Sequence, residues 1–193
     1  MSDAAPLIGE PLALDLVNTR QADTDLLTTP AALRAWLELQ ATRFPSAREL
    51  AEAALTDADL AAVRELREHT ASALDHVRYG TRPSTGDLAV INRAQRAAPA
   101  IDELVWNGQV VTAVRIRTGP AGARLAGWLA EAAADLLADP GVTKIRQCEA
   151  DDCVLLFLPA HTRRRWCSAA RCGNRVRVAR HYQRHRSSGE SAG

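Results

Sequence analysis

The chain has 193 residues and a mass of 20.8 kDa, enough for one domain of ordinary size or two small ones. Hydrophobic residues make up 47% and charged residues 24%, which excludes wholesale disorder; aromatics at 4%, among many Ala and Leu, argue against a β-sandwich or barrel. The net charge of +1 hides a segregation, because residues 1–140 carry 13 Arg, no Lys and 19 acids, whereas residues 141–193 carry 10 Arg and Lys144 against four acids.

In chain order, the first eight residues carry no pattern and are expected to be poorly ordered. PLALDLVNT, residues 11–19, is apolar with Asp15 and Asn18 embedded, and fits a buried strand or a short helix. Thr29-Pro30 reads as an N-cap with Pro at the first helical position, and Leu33, Trp36, Leu37 and Gln40 follow at helical spacing. Ser46 then predicts a short helix to Leu55. Thr56 with Asp59 resembles a capping box with Asp in place of Glu, opening a helix to about Val77 along Leu60, Val63, Leu66 and Leu74. Gly80 and Pro83 stop it, and Ser84 or Thr85 opens another helix to Ala97. Asn107-Gly108 between Ile101–Trp106 and Gln109–Arg117 predicts a β-hairpin. After Gly119-Pro120, the Ala-rich stretch Ala121–Ala138 predicts a helix ended by Asp139-Pro140. The first 140 residues thus predict a helical α+β domain with one small sheet.

Four cysteines, Cys148, Cys153, Cys167 and Cys172, follow the spacing C-x4-C-x13-C-x4-C. Two close pairs supply the four thiolates that structural zinc prefers, and the surrounding arginines favour the thiolate form. Two disulfides or unpaired buried thiols are the competing arrangements. No stretch reaches the ~20 apolar residues that cross a bilayer, and no basic segment precedes an apolar one at the N-terminus. These features predict a cytoplasmic protein with no membrane partner, where disulfides are disfavoured. His161, His181 and His185 lie nearby, but four sulfurs already close the shell; His69 and His76 read as surface residues. VLLFL, residues 154–158, predicts a strand, Arg163–Trp166 brings the chain back, and Trp166 covers the site. Ser168 is an N-cap for a helix to about Arg186 with Val178 and Tyr182 as its apolar stripe, or Asn174 caps a later start. The module predicts a treble-clef-like zinc finger ending in a basic helix.

WCSAARCGNRVRVARH, residues 166–181, preceded by Arg163, Arg164 and Arg165, resembles the CGNR zinc finger of bacterial proteins, named for Cys172-Gly173-Asn174-Arg175. GEPLALDLVNTR, residues 9–20, and TTPAALRAWL, residues 28–37, are similar to the opening of the ABATE domain that precedes this finger. Many members of that family carry Asp and Ser shortly after the strand's Phe, where this chain has Pro159 and His161. The resemblance implies an ABATE-like domain over 1–140, a finger over 141–186, and a role in stress-responsive transcription through DNA binding; the polar composition of SSGESAG, residues 187–193, predicts a disordered tail.

The charge pattern supports a nucleic-acid partner without the resemblance. Between His161 and Arg186 there are nine Arg and no acid. Arg177, Arg180 and Arg184 share one helix face, with Arg171 and Arg175 nearer the apolar stripe and Arg163–Arg165 placed to hold the phosphate backbone. A solvated face, or pairing with the acidic body, is the competing reading. A homodimer is expected, because one small finger reads few base pairs. Asp15, Asn18 and Arg20, with Thr19, predict either a pocket for a small-molecule effector or a stabilised buried turn. No phosphate loop, nucleophile elbow or paired catalytic motif is present, so enzyme activity is not expected.

Overall fold

The computed structural model describes residues 9–179. Expectations for the first eight residues, for Arg180, His181, Tyr182, Arg184 and His185, and for the last seven residues lie outside that range.

The ambiguous apolar segment is a helix, α1 (Leu12–Val17), buried on every side. A six-residue helix is too short to be stable alone. It is held from outside: the Asp15 carboxylate accepts the amides of Gly9 and Glu10 at 3.1 Å each, taking up donors that precede the first turn. Helix α2 (Pro30–Gln40) starts as its sequence predicts, with the Thr29 hydroxyl accepting the Ala32 amide. Helix α3 (Pro45–Ala51) starts one residue before Ser46, with Pro45 in its first turn and Phe44 as a cap that offers no side-chain bond, and stops short of Leu55. Helix α4 (Asp57–Arg78) has both halves of the capping box: the Thr56 amide donates to Asp59 at 2.8 Å, and the Asp59 amide to the Thr56 hydroxyl at 3.3 Å. Aspartate is therefore long enough to close the box here. Ser84 caps α5 (Thr85–Ala97).

Strands β1 (Ala100–Trp106) and β2 (Val111–Arg117) pair antiparallel with Trp106 opposite Val111. The connection spans residues 107–110, two more than the bare Asn-Gly turn. The Asn107 side chain accepts the amides of Gln109 and Val110 at 3.0 Å, and Gly108 takes φ +98°, which a side chain would resist. Helix α6 (Ala121–Ala138) returns through the centre, packing on α1, α4 and α5. Its Gly127 lies where a Cβ would come within 2.8 Å of the Ala98 carbonyl, so the absence of a side chain sets how closely α6 approaches the base of the hairpin. A 3-10 turn (Pro140–Lys144) leads to β3 (Arg146–Gln147), which pairs with β4 (Leu156–Phe157) in a second two-stranded sheet.

Two apolar cores result. The larger joins α1–α6 and takes in Val142, Ile145 and Leu156; the smaller surrounds the cysteines. Two charged side chains of the larger unit, Asp15 and Arg67, are enclosed almost completely. Arg67 of α4 forks onto Asp25 at 2.7 and 2.8 Å and donates to the Thr19 hydroxyl. That bond, with the Leu27 amide and Arg64 nearby, holds the Asp25 carboxyl at about 2, below its usual 3.8. A depressed carboxylate stabilises the fold above its unfolded value, and the contribution is lost as pH falls through the folded value. Asp25→Asn is expected to cost about 2 kcal/mol at pH 7 and to flatten the loss of stability between about pH 4 and pH 2. Urea titrations of both proteins across that window check this.

Candidate metal centre and basic surface

The first cysteine pair sits in the loop joining β3 to β4. Cys148 follows β3 directly, and its amide donates to the Leu155 carbonyl at 2.9 Å, continuing the ladder. The turn to Cys153 closes with the Cys153 amide on the Ala150 carbonyl, and Asp152 adopts a left-handed φ of 60°. Aspartate tolerates that conformation better than most residues with a side chain. The second pair is carried by a helix start. The Ser168 hydroxyl accepts the Arg171 amide, and the first turn, Ala169–Gly173, is a wide π-turn in which Gly173 donates to the Ser168 carbonyl five residues back. Residues 174–179 continue as α-helix. Ser168 therefore starts the helix, and Asn174 lies inside it.

Together these elements bring the four Sγ atoms within 4.8 Å of one another, with Cys167 and Cys172 at 3.5 Å. Four ligands about 2.3 Å from a tetrahedral zinc would stand about 3.8 Å apart. None of the four is in a disulfide, and all but Cys153 are buried. The Cys167 amide points at the Cys148 sulfur at 3.3 Å, and Arg175 reaches Cys172 at 3.9 Å. Hydrogen bonds from the Cys153 and Cys167 thiols hold Cys148 far below the ordinary thiol range, while Cys148 pushes Cys153 up to about 11 and raises Cys167 as well. Four sulfurs this close cannot all be anionic unless a cation neutralises them, which is the service a divalent ion performs. The donor set fits zinc, and Cys148, Cys153, Cys167 and Cys172 are the residues placed to hold it.

Around the cluster lie Ala150, Leu155 and Phe157, with Trp166 and Val176 partly buried against it. The helix face differs from the predicted stripe. Cys172 must point at the cluster, and Val176, one α-turn on, shares its side. Val178 is exposed instead.

The predicted arginines divide into two groups. Arg164 turns inward: it bonds the Glu10 carboxylate at 2.6 Å, reaches the carbonyls of Leu158, Trp166 and Cys167, and stacks 4.4 Å above the Phe157 ring. Arg165 pairs with Glu149, and Arg175 donates to the Asp151 carbonyl. Arg163 and Arg177 are exposed; Arg177 touches only the Asn174 side-chain oxygen among the described residues. Arg171 is half-buried on the π-turn.

The polar cluster of α1 reaches the finger from the other side. The Asn18 side chain donates to the Leu156 carbonyl and accepts the Leu156 amide, each at 2.8 Å, in the manner of a neighbouring strand. Glu10, buried, accepts the Leu158 amide at 2.9 Å beside Arg164. Asp15 is fully enclosed by Gln40 at 3.1 Å and Arg43 at 2.5 Å as well as its two amides; burial pushes its carboxyl up against those bonds. Asn18 and Arg20 line a cavity of about 430 Å³ with Arg67 and Gln147, and Asp15 does not. Sequence reasoning missed Glu10, Gln40 and Arg43. Only the acid immediately before an apolar helix hinted at Glu10.

An α+β body carrying a four-cysteine finger is a zinc-finger protein of two modules. Residues 10–140 match the family model ABATE, a putative stress-induced transcription regulator, and residues 144–185 match the CGNR zinc finger. The chain belongs to the ABATE family. No curated protein matches it at significance. No described helix is long and apolar enough to cross a membrane.

Proposed function

We propose that the protein is a transcription regulator that binds DNA through its zinc finger. The observation that carries this reading is the acid-free run of nine arginines from 163 to 186, of which Arg163, ahead of the cysteine-clamped helix start, and Arg177, within the helix, face solvent. Guanidinium groups suit phosphate oxygens and the guanine edge, and a helix fits the major groove. Arg180 and Arg184 fall on the Arg177 face if the helix continues. The α+β body is the natural seat of an effector, since Asn18 couples its first helix to β4.

Substituting Arg163, Arg177, Arg180 and Arg184 together by Ala is expected to weaken duplex binding at least ten-fold at low salt, about 1.4 kcal/mol or more, measured by fluorescence anisotropy. Equal affinity of the variant contradicts the proposed surface. A second reading is favoured by one observation: Arg164, Arg165 and Arg175 are engaged within the protein. In that reading the finger only staples the C-terminal module to the body, and the protein binds another protein or a small ligand. It predicts no duplex binding at any salt, with chelation still disrupting the fold.

A further inference from the structure

The β1–β2 hairpin is anchored at its base alone. Arg117 bonds the Ala98 carbonyl and Glu131 of α6, and Arg115 also reaches Glu131. Beyond that base neither face is covered. Trp106 and Leu104 share one face with Val111 and Ala113; Val105 and Val114 lie on the other, with Ile101 nearer the body. Trp106 is 63% exposed, Leu104 73% and Val111 60%. Ile101, Val105, Val110 and Val114 are exposed as well, so the hairpin holds seven of the twelve large apolar side chains that are exposed among the described residues. An isolated two-stranded hairpin is marginal in water, and strand edges left open invite pairing. This hairpin therefore has the composition of a covered element and no cover among the described residues.

We propose that the cover is a second copy of the chain, the two hairpin tips packing on each other across a twofold axis. Two observations select this occupant. Residues 104–113, LVWNGQVVTA, contain no charged side chain, so identical tips meet without like-charge repulsion, as an isologous contact requires. A polyanion or an anionic lipid surface would find no cation there, and Asp102 and Glu103 stand next to the tip. The shape also fits: Trp106, Leu104 and Val111, with Ala113 between them, form a continuous apolar face on one side of the hairpin that one copy can lay against the same face of another. The inference is independent of DNA binding, since it concerns the mass of the protein alone.

The test is sedimentation of the full-length, zinc-loaded protein without nucleic acid. The wild type is expected at twice the 20.8 kDa chain mass. Trp106→Lys and Trp106→Glu are each expected at the single-chain mass with an unchanged helical circular-dichroism signal, and their equimolar mixture is expected to return to the double mass. Recovery on mixing separates a broken contact from a misfolded chain, and Leu104→Lys with Leu104→Glu repeats the experiment one position along the same face. A wild type that stays monomeric at its highest soluble concentration overturns the proposal. So do variants that remain dimeric, or monomeric variants whose mixture does not reassociate.

Discussion

Chelation of zinc is expected to unfold the C-terminal module while the helical body survives. Apart from its ties to the body through Asn18 and Glu10, the module has little of its own to hold it: two strands of two residues each and a core of Ala150, Leu155 and Phe157 besides the cysteines. A core that small contributes only a few kcal/mol, whereas structural zinc contributes on the order of 10 kcal/mol or more of folding free energy at neutral pH. Without metal, nothing offsets the repulsion of thiolates held within 4.8 Å of one another. Cys167→Ser should act as chelation does, because it takes away one of the four sulfurs while leaving the backbone amide in place. Hydrogen exchange reads the result by position. The amides of Cys148, Cys153, Leu156 and Gly173 should lose protection, and those of α4 and α6 should keep it. Unchanged protection in the finger after complete chelation would contradict this assignment.

Two neighbouring arginines should differ sharply in what they do for stability. Arg164→Ala leaves the buried Glu10 carboxylate with only the Leu158 amide, and frees the carbonyls of Trp166 and Cys167 and the face of Phe157. Breaking a buried pair by removing one partner costs about 3–5 kcal/mol. Arg163→Ala, at an exposed position without a partner among the described residues, should stay within about 0.5 kcal/mol. Urea unfolding of both variants checks the contrast, and a double substitution with Glu10→Gln should recover part of the loss, because no unpaired charge then remains buried. Equal effects at the two positions would mean that the finger is not latched through Glu10.

The latch also explains which parts of the molecule could be foreseen. Caps and turns rest on neighbours in sequence, so Thr29-Pro30, Thr56 with Asp59, Ser84 and Asn107-Gly108 could be read directly, as could the cysteine spacing. Asn18 with Leu156 could not. The two are 138 residues apart, and a side chain imitating a strand edge leaves no periodic trace. Arg164 is indistinguishable from Arg163 and Arg165 in sequence; only the position of Glu10 separates it. The helix face was misjudged at Val178 because the apolar pattern was considered apart from the ligand, and Cys172 sets the orientation that buries Val176. The hairpin alternates as a half-buried sheet does, yet beyond its base neither face is covered among the described residues, a feature that no single-chain pattern could reveal.

The central claim is that zinc sets a surface of arginines against phosphate. It is tested most directly by the salt dependence of duplex affinity for the zinc-loaded protein. With Arg163, Arg177, Arg180 and Arg184 in contact, counterion release predicts a slope of about −3.6 for log affinity against log salt, together with loss of binding when the metal is removed. A flat salt dependence, or affinity that survives removal of the metal unchanged, would contradict it.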